Sequence, residues 1–334
     1  MIEVVVFPCT YKCNGHCIMC TIYNRKEQDM SIDFFEPFFA HPELHNLKSI
    51  NLTGGEPTLR KDLPELTKMI FSHCHSLKEI IINTNGFCTA QVLKQIIDIY
   101  DILNPGIKIW VYVSLDSVDS KAEIIRGVPK AHINAMKTIE KLVLLKRKLP
   151  NLQVGISCTI TSVNYDKLED VYQYASKLDI YVDFIYATIN TAYINSSSIK
   201  DQFILNSSQI SEVIHFFENL RCSSKISVSK DYYTRLIKNL KGDTTYKSCI
   251  FRERRGLLLE ADGKISLCGM TCESLLGDLK ESTMDSILEY EPLNIDKYCS
   301  HCQTSSYYNW TADAQQILQS NMFDKIRKIR KIPF

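Results

Sequence analysis

The 334-residue chain has no apolar run approaching membrane-spanning length, so no helical span is read from it. Glu3 interrupts the opening apolar stretch and no cleavage-type segment follows, so a secretory signal is absent as well. Charge of one sign is missing: 39 Lys and Arg against 38 Asp and Glu leave a formal +1, with no global signature of a nucleic-acid binder. Repeats and low-complexity segments are also lacking. These absences point to a cytoplasmic protein with no membrane partner. Cysteine is the residue present in excess, at 13 copies. Where thiols stay reduced, clustered cysteines are metal-binding or catalytic rather than disulfide-bonded. A hydrophobic share of 45% and a charged share of 23% supply material for one large domain and a smaller appendage.

Strand-like runs at 2–7, 48–52, 78–83, 108–114, 152–159 and 180–186 are short, β-branched or aromatic, and nearly continuous in apolar character. That is the pattern of parallel strands covered on both faces. Helical segments lie between them: Ser31 is placed to cap one carrying Phe34, Phe35, Phe38 and Phe39, and Asp62 one carrying Leu63, Leu66, Met69 and Ile70. Six βα units in succession predict an α/β fold, a partial (β/α)6 TIM-like barrel over residues 1–190. Residues 191–248 read as a linker with a helical segment near 209–219. Residues 249–310 read as a small cysteine-rich β-hairpin and helix module, its turn at Ala261, Asp262 and Gly263. The basic stretch within 311–334 reads as a half-buried terminal helix.

In such a barrel, functional residues gather at the C-terminal ends of the strands. The first strand runs into Cys13, Cys17 and Cys20, spaced C-x3-C-x2-C. Cubane iron–sulfur clusters normally take four thiolates, so three cysteines in eight residues leave one iron open for chemistry. The second strand leads into Gly54, Gly55, Glu56 and Pro57, the third into Asn83, Thr84, Asn85 and Gly86, and the fourth into Ser114, Leu115 and Asp116. Paired glycines allow close backbone approach to a ligand, although alone they would serve a plain turn equally well.

The cysteine triplet, followed in order by Gly-Gly-Glu-Pro, Asn-Thr-Asn-Gly and Ser-Leu-Asp at successive strand ends, resembles the radical S-adenosylmethionine (SAM) superfamily over about residues 1–190. The resemblance implies that Cys13, Cys17 and Cys20 hold a [4Fe–4S] cluster whose open iron chelates SAM. Gly54, Gly55 and Glu56 would line the methionine moiety, Glu56 taking its ammonium. Met19 stands where the family often has an aromatic near the adenine, and Asn85, Ser114 and Arg126 are implied polar partners of the carboxylate and ribose. An electron from a flavodoxin or ferredoxin would cleave SAM to a 5′-deoxyadenosyl radical, which takes hydrogen from an unactivated C–H bond.

Cys249, Cys268, Cys299 and Cys302 form a second, split group. From spacing alone, structural zinc competes with iron–sulfur. Within the family the arrangement is similar to the C-terminal twitch/SPASM-like module, which implies a second, auxiliary [4Fe–4S] cluster. Cys272 competes with Cys268 as ligand, and Cys268, directly after the hairpin strand, is favoured. Cys158 at a strand end and Cys272 beside the second group are candidate catalytic hydrogen donors; most other cysteines read as small buried hydrophobes.

The resulting expectation is a radical SAM oxidoreductase or epimerase acting on a peptide or an amino-sugar-like small molecule. A barrel starting almost at residue 1 argues mildly against a leader-dependent peptide maturase. Crosslinking, RNA modification, which the near-neutral charge disfavours, and a non-enzymatic zinc-binding interaction protein are the alternatives.

Overall fold

Alternation of short apolar strands with amphipathic helices produces six βα units. The computed structural model describes residues 1–103, 106–190, 194, 196–222, 230–243, 249–271, 274–292 and 299. The strands are β1 (Val4–Thr10), β2 (Ser49–Gly54), β3 (Glu79–Thr84), β4 (Lys108–Ser114), β5 (Leu152–Ile160) and β6 (Tyr181–Tyr186). Between them lie α1 (Ile32–Phe39), α2 (Leu63–His73), α3 (Thr89–Ile102), α4 (Lys121–Arg126), α5 (Ala131–Lys146) and α6 (Leu168–Leu178). Every neighbouring pair from β1 to β6 is parallel. The result is the α/β partial barrel that the strand pattern predicts. Ser31 and Asp62 stand at the N-caps of α1 and α2, but neither side chain makes a capping hydrogen bond.

Partners in a parallel ladder point to the same side of the sheet, so the register sorts the side chains into two faces. One face carries Val5, Phe7, Ile50, Leu52, Ile80, Ile82, Val111, Val113, Val154, Ile156 and Phe184, all in one core with the buried residues of the helices. The other is polar over β2 to β6: Asn51, Asn83, Ser114, Ser157, Thr159 and Asp183 share it with Trp110, Tyr112 and Tyr181. Trp110 stacks on Tyr112 with ring centroids 5.9 Å apart and meets Tyr181 at 5.4 Å. These rings fill the middle of the inner face, leaving amides, hydroxyls and one carboxylate toward the strand ends.

Two expectations about the second half of the chain need correction. The helix expected near 209–219 is present as α7 (Ser207–Cys222), but the stretch holds more than that and a linker: α8 (Lys230–Leu240) packs on α7, and Val213, Phe217, Tyr233, Leu236 and Ile237 join the main core. Phe184 of β6 meets Phe216 and Phe217 edge-on, at 5.3 and 5.8 Å. An apolar strand face at the end of the barrel needs cover, and this helical pair supplies it. The cysteine-rich part is likewise joined to the sheet. β7 (Gly256–Leu259) pairs parallel with β1, and β8 (Lys264–Ser266) and β9 (Leu275–Asp278) follow antiparallel before α9 (Met284–Glu289). Among the described residues, nine strands thus form one sheet in the order β6-β5-β4-β3-β2-β1-β7-β8-β9. No helix among them is long and apolar enough to cross a membrane. The basic segment at 325–331 lies outside the described residues.

Candidate active site

The loop after β1 carries Cys13, Cys17 and Cys20 and is gripped by neighbouring backbone on several sides. Gly55 and Glu56 donate their amides to the carbonyls of Thr10 and Lys12, at 2.8 and 2.7 Å. His16 and Ile18 donate to the carbonyls of Arg126 and Ile125, each at 2.9 Å. Thr21 donates both its amide, at 3.2 Å, and its hydroxyl, at 2.7 Å, to the carbonyl of Ile194.

Glycine makes this grip possible. A Cβ at Gly54, whose φ is +119°, would stand 2.3 Å from the carbonyl oxygen of Thr10, and one at Gly55 would stand 2.1 Å from that of Lys12. A Cβ at Gly127 would meet the carbonyl oxygen of His16 at 2.4 Å. The close approach that paired glycines permit is therefore made, in the first place, to the chain's own cysteine loop. Gly127 plays the same part from the opposite side, and a single glycine closing a short helix gave no signal of it in the sequence.

Cys13, Cys17 and Cys20 are all half-buried. Cys13 and Cys17 face the Gly15 position from two sides, each sulfur 3.7 Å from where a Gly15 Cβ would be. The Gly15 amide donates to Cys13 Sγ at 3.4 Å, and Arg126 Nη1 lies 3.8 Å from Cys17 Sγ. Burial pushes the Cys13 thiol up to about 11 and the Cys20 thiol to about 12, and raises that of Cys17. Thiols this desolvated stay protonated near neutral pH unless a positive centre compensates the thiolate, which iron does. The donor set fits an iron–sulfur cluster: three thiols in one loop, with an amide and a guanidinium beside the sulfurs. Among the described residues no three His, Cys, Asp or Glu side chains are disposed around a single metal ion. A cubane is wider than one ion and spreads its thiolates further apart.

Glu56 is buried, and its carboxylate joins two strand ends. Oε1 accepts from the Thr58 amide at 3.2 Å, the Thr58 hydroxyl at 2.6 Å and the Thr84 hydroxyl at 2.8 Å, while Oε2 accepts from the Asn85 amide at 2.6 Å. Desolvation raises its pKa despite these donors. Oε2 keeps acceptor capacity, which is what an ammonium would need. Asn85 also reaches the cysteine loop, Nδ2 donating to Asn14 Oδ1 at 2.6 Å. Ser114 is half-buried at the end of β4, and Met19 is half-buried in the loop.

Arg126 and Asp116 form an ion pair, Nη2 to Oδ1 at 2.8 Å with Nε on Oδ2, and Asp116 is fully buried. The Thr159 amide donates to Asp116 Oδ1 at 2.8 Å. Burial alone would weaken the Arg126 charge; the carboxylate of Asp116 outweighs it and raises the pKa. Asp116 thus aims the guanidinium at Cys17, a role that Ser-Leu-Asp did not disclose by itself.

Cys158 is a correction. Its side chain shares the helix-facing side of β5 with Val154 and Ile156, is fully buried in the main core, and lies 3.8 Å from the Asp116 carbonyl oxygen. Strand alternation sends Ser157 and Thr159 to the inner face and Cys158 away from it, so it does not face a substrate there. Cys74, one of the cysteines outside both groups, is buried in the same core. His16 is exposed, with its ring 4.8 Å from that of Tyr23.

Of the second group, Cys249 and Cys268 flank the β7–β8 hairpin. Both border an apolar cluster of Val4, Val6, Tyr11, Ile22, Ile250, Phe251, Leu258 and Ala261, which Cys13 and Cys20 border as well. Burial raises the Cys268 thiol, with Cys249 among the neighbours adding to the rise. Cys299 is half-buried. Cys272 and Cys302 lie outside the described residues, and with them the choice between Cys268 and Cys272.

A parallel partial barrel with a three-cysteine loop at its first strand end, braced by Gly-Gly-Glu, defines an enzyme class built to hold an open iron–sulfur cluster. The model of the radical SAM superfamily matches residues 7–175, half of the chain, and the protein belongs to that superfamily. It is 28% identical over 268 residues to a GTP 3′,8-cyclase of Helicobacter pylori, covering 79% of this chain and 78% of that one. Among solved structures it resembles native anSMEcpe with bound AdoMet and Kp18Cys peptide, with a TM-score of 0.63, 16% identity and 99% of each chain covered. It also resembles Streptococcus suis SuiB bound to S-adenosylmethionine, with a TM-score of 0.57, 16% identity, and 87% of this chain and 64% of that one covered. At these identities the likeness to solved structures is one of fold.

Proposed function

We propose that this radical SAM enzyme abstracts hydrogen from an unactivated C–H of a peptide or an amine-bearing small molecule such as an amino sugar, and that the outcome is oxidation. A [4Fe–4S] cluster on Cys13, Cys17 and Cys20, reduced by flavodoxin or ferredoxin, would supply with SAM the 5′-deoxyadenosyl radical. The chain's own residues do the rest. Gly54, Gly55 and Gly127 shape the loop, Glu56 is placed for the ammonium of SAM, and Asn85, Ser114 and Arg126 are polar groups at the same strand ends. Met19 is within the loop for the adenine. Cys249 and Cys268, with Cys299 and Cys302, are the proposed ligands of a second cluster able to accept an electron from the substrate.

The observation that carries the substrate class is the charge of the inner face. Level with the aromatic layer it presents Asn51 and Asn83, and toward the strand ends Ser114, Ser157 and Thr159 with one carboxylate, Asp183. Among the described residues of β2 to β6, Lys108 is the cation on this face, and it sits at the opposite end, in register with Glu79; the Arg126 guanidinium beyond β4 is already paired with Asp116. Polyphosphates are bound by cations and bidentate guanidinium groups, whereas a carboxylate among amides and hydroxyls suits an amine or a peptide. With Cys158 withdrawn as a hydrogen donor, epimerisation rests on Cys272 alone, so oxidation leads.

The second reading is cyclisation of GTP, favoured by the relatives named GTP 3′,8-cyclase. The two separate in one assay. With SAM and reductant under anaerobic conditions, 5′-deoxyadenosine formation should be stimulated by amine-bearing peptides or amino sugars and left unchanged by GTP. Stimulation by GTP, with a new cyclised product, would replace the first reading with the second.

A further inference from the structure

The cysteine loop is tied at both ends to one turn of the C-terminal hairpin. Tyr11, two residues before Cys13, is buried, and its hydroxyl lies 2.7 Å from Glu260 Oε2 and 2.9 Å from Asp262 Oδ1. Arg25, five residues after Cys20, reaches the same two carboxylates: Nη1 donates to Glu260 Oε2 at 3.0 Å, and Nη2 lies 3.4 Å from Asp262 Oδ2. Its guanidinium also lies over the Tyr11 ring, with Cζ 3.8 Å from the centroid. Lys264 completes the set, donating to Asp262 Oδ2 at 2.8 Å. Arg25 also donates to the exposed Glu27, Nη2 to Oε1 at 2.9 Å. Two buried carboxylates, with the Glu260 and Asp262 side chains 8% and 5% exposed, thus face two cations and one phenol.

The turn is held from a third side. The Met30 amide donates to the Ala261 carbonyl at 3.0 Å, and a Cβ on Gly263 would stand 2.8 Å from the Phe34 ring. The far end of the same hairpin runs from Ser266 through Leu267 to Cys268. Tyr11 therefore belongs to the same apolar cluster that Cys13, Cys20, Cys249 and Cys268 border.

Exposed ion pairs contribute little, but carboxylates as buried as Glu260 and Asp262 are costly to leave without partners. The stretches on each side of the cysteine triplet converge on one hairpin turn, so a shift of that hairpin moves the loop. We propose that Tyr11, Arg25, Glu260 and Asp262 are positioning residues: they set the cysteine loop from the hairpin and so couple SAM binding at the first cysteine group to the position of that hairpin. Such coupling is reciprocal.

This inference rests on the cluster assignment of Cys13, Cys17 and Cys20. Its test uses the anaerobically loaded full chain with Tyr11→Phe, which keeps the ring under Arg25 and removes only the hydroxyl, and Asp262→Asn as a second variant. Iron and sulfide content should equal that of the unmodified protein. KM for SAM in the cleavage assay should rise about tenfold, the change carried by losing one hydrogen bond to a charged group. The change that SAM causes in the paramagnetic spectrum of the reduced protein should shrink, and amide hydrogen exchange across residues 11–25 should accelerate.

Ile287→Ala is the control: it loosens α9 from β9, where Ile287 packs on Gly277, without touching the loop. It should lower Tm while leaving KM and spectrum unchanged. A normal KM and spectrum in Tyr11→Phe, or the same changes in Ile287→Ala, would reduce the network to a stabilising contact and overturn the proposal. Absence of iron and sulfide from the unmodified protein would overturn the cluster assignment itself, and the proposal with it.

Discussion

The two faces of the same six strands are built to different rules. Phe7, Ile82, Val113 and Cys158 point toward the helices and share one continuous apolar core. Asn83, Ser114, Ser157 and Thr159 alternate with them and point the other way, none of them fully buried. The outer face supplies the free energy that closes the barrel, while the inner face is a surface on which polar groups can be placed for binding. Stability and chemistry should therefore respond to different substitutions.

The largest combined effect is expected where the faces meet. Asp116→Ala removes the fully buried partner of the largely buried Arg126 guanidinium and should cost about 3 kcal/mol of stability, because a mostly desolvated charge is left unpaired. It should also lower SAM cleavage per folded molecule, since Arg126 then loses its aim at Cys17. Denaturant titration and 5′-deoxyadenosine assays read the two effects. On the outer face, Phe7→Ala should cost about 3–5 kcal/mol, and the protein that remains folded should cleave SAM normally; a selective loss of cleavage would break the division between faces. On the inner face, a Cβ at Gly155 would come 2.6 Å from the Tyr112 ring. Gly155→Ala should cost about 1–3 kcal/mol through overpacking, read as a fall in denaturation midpoint, and shift the aromatic layer beneath the polar groups. Smallest of all, Cys158→Ala should leave the pattern of deuterium uptake into product in deuterated water unchanged. A variant-specific loss of label there would restore Cys158 as a hydrogen donor.

Much of the strand framework was legible as sequence, because burial on both faces selects runs such as Glu-Ile-Ile-Ile at 79–82, where Ile80 and Ile82 face the helices and Ile81 the inside, and β4 falls at the residues its pattern predicts. The cysteine loop was legible for another reason: its three thiols lie within eight residues. Glu56 was legible as a candidate site residue, though its bonds to Thr58 and Thr84 were not. What escaped depends on long-range assembly. Tyr11 gains its meaning from Glu260, 249 residues away, and Arg25 from Asp262, 237 residues away. Gly127 is needed because the loop backbone passes over it. Cys158 was misplaced because a strand end was read without its alternation: one residue to either side, Ser157 and Thr159 do face inward.

The central claim, that the loop after β1 holds the SAM-cleaving cluster, is tested most directly by replacing Cys13, Cys17 and Cys20 together with alanine and measuring 5′-deoxyadenosine under anaerobic reducing conditions. The account predicts that the unmodified protein forms it and that the triple variant, with its helix and strand content preserved, forms none. Cleavage retained by the triple variant would contradict the account.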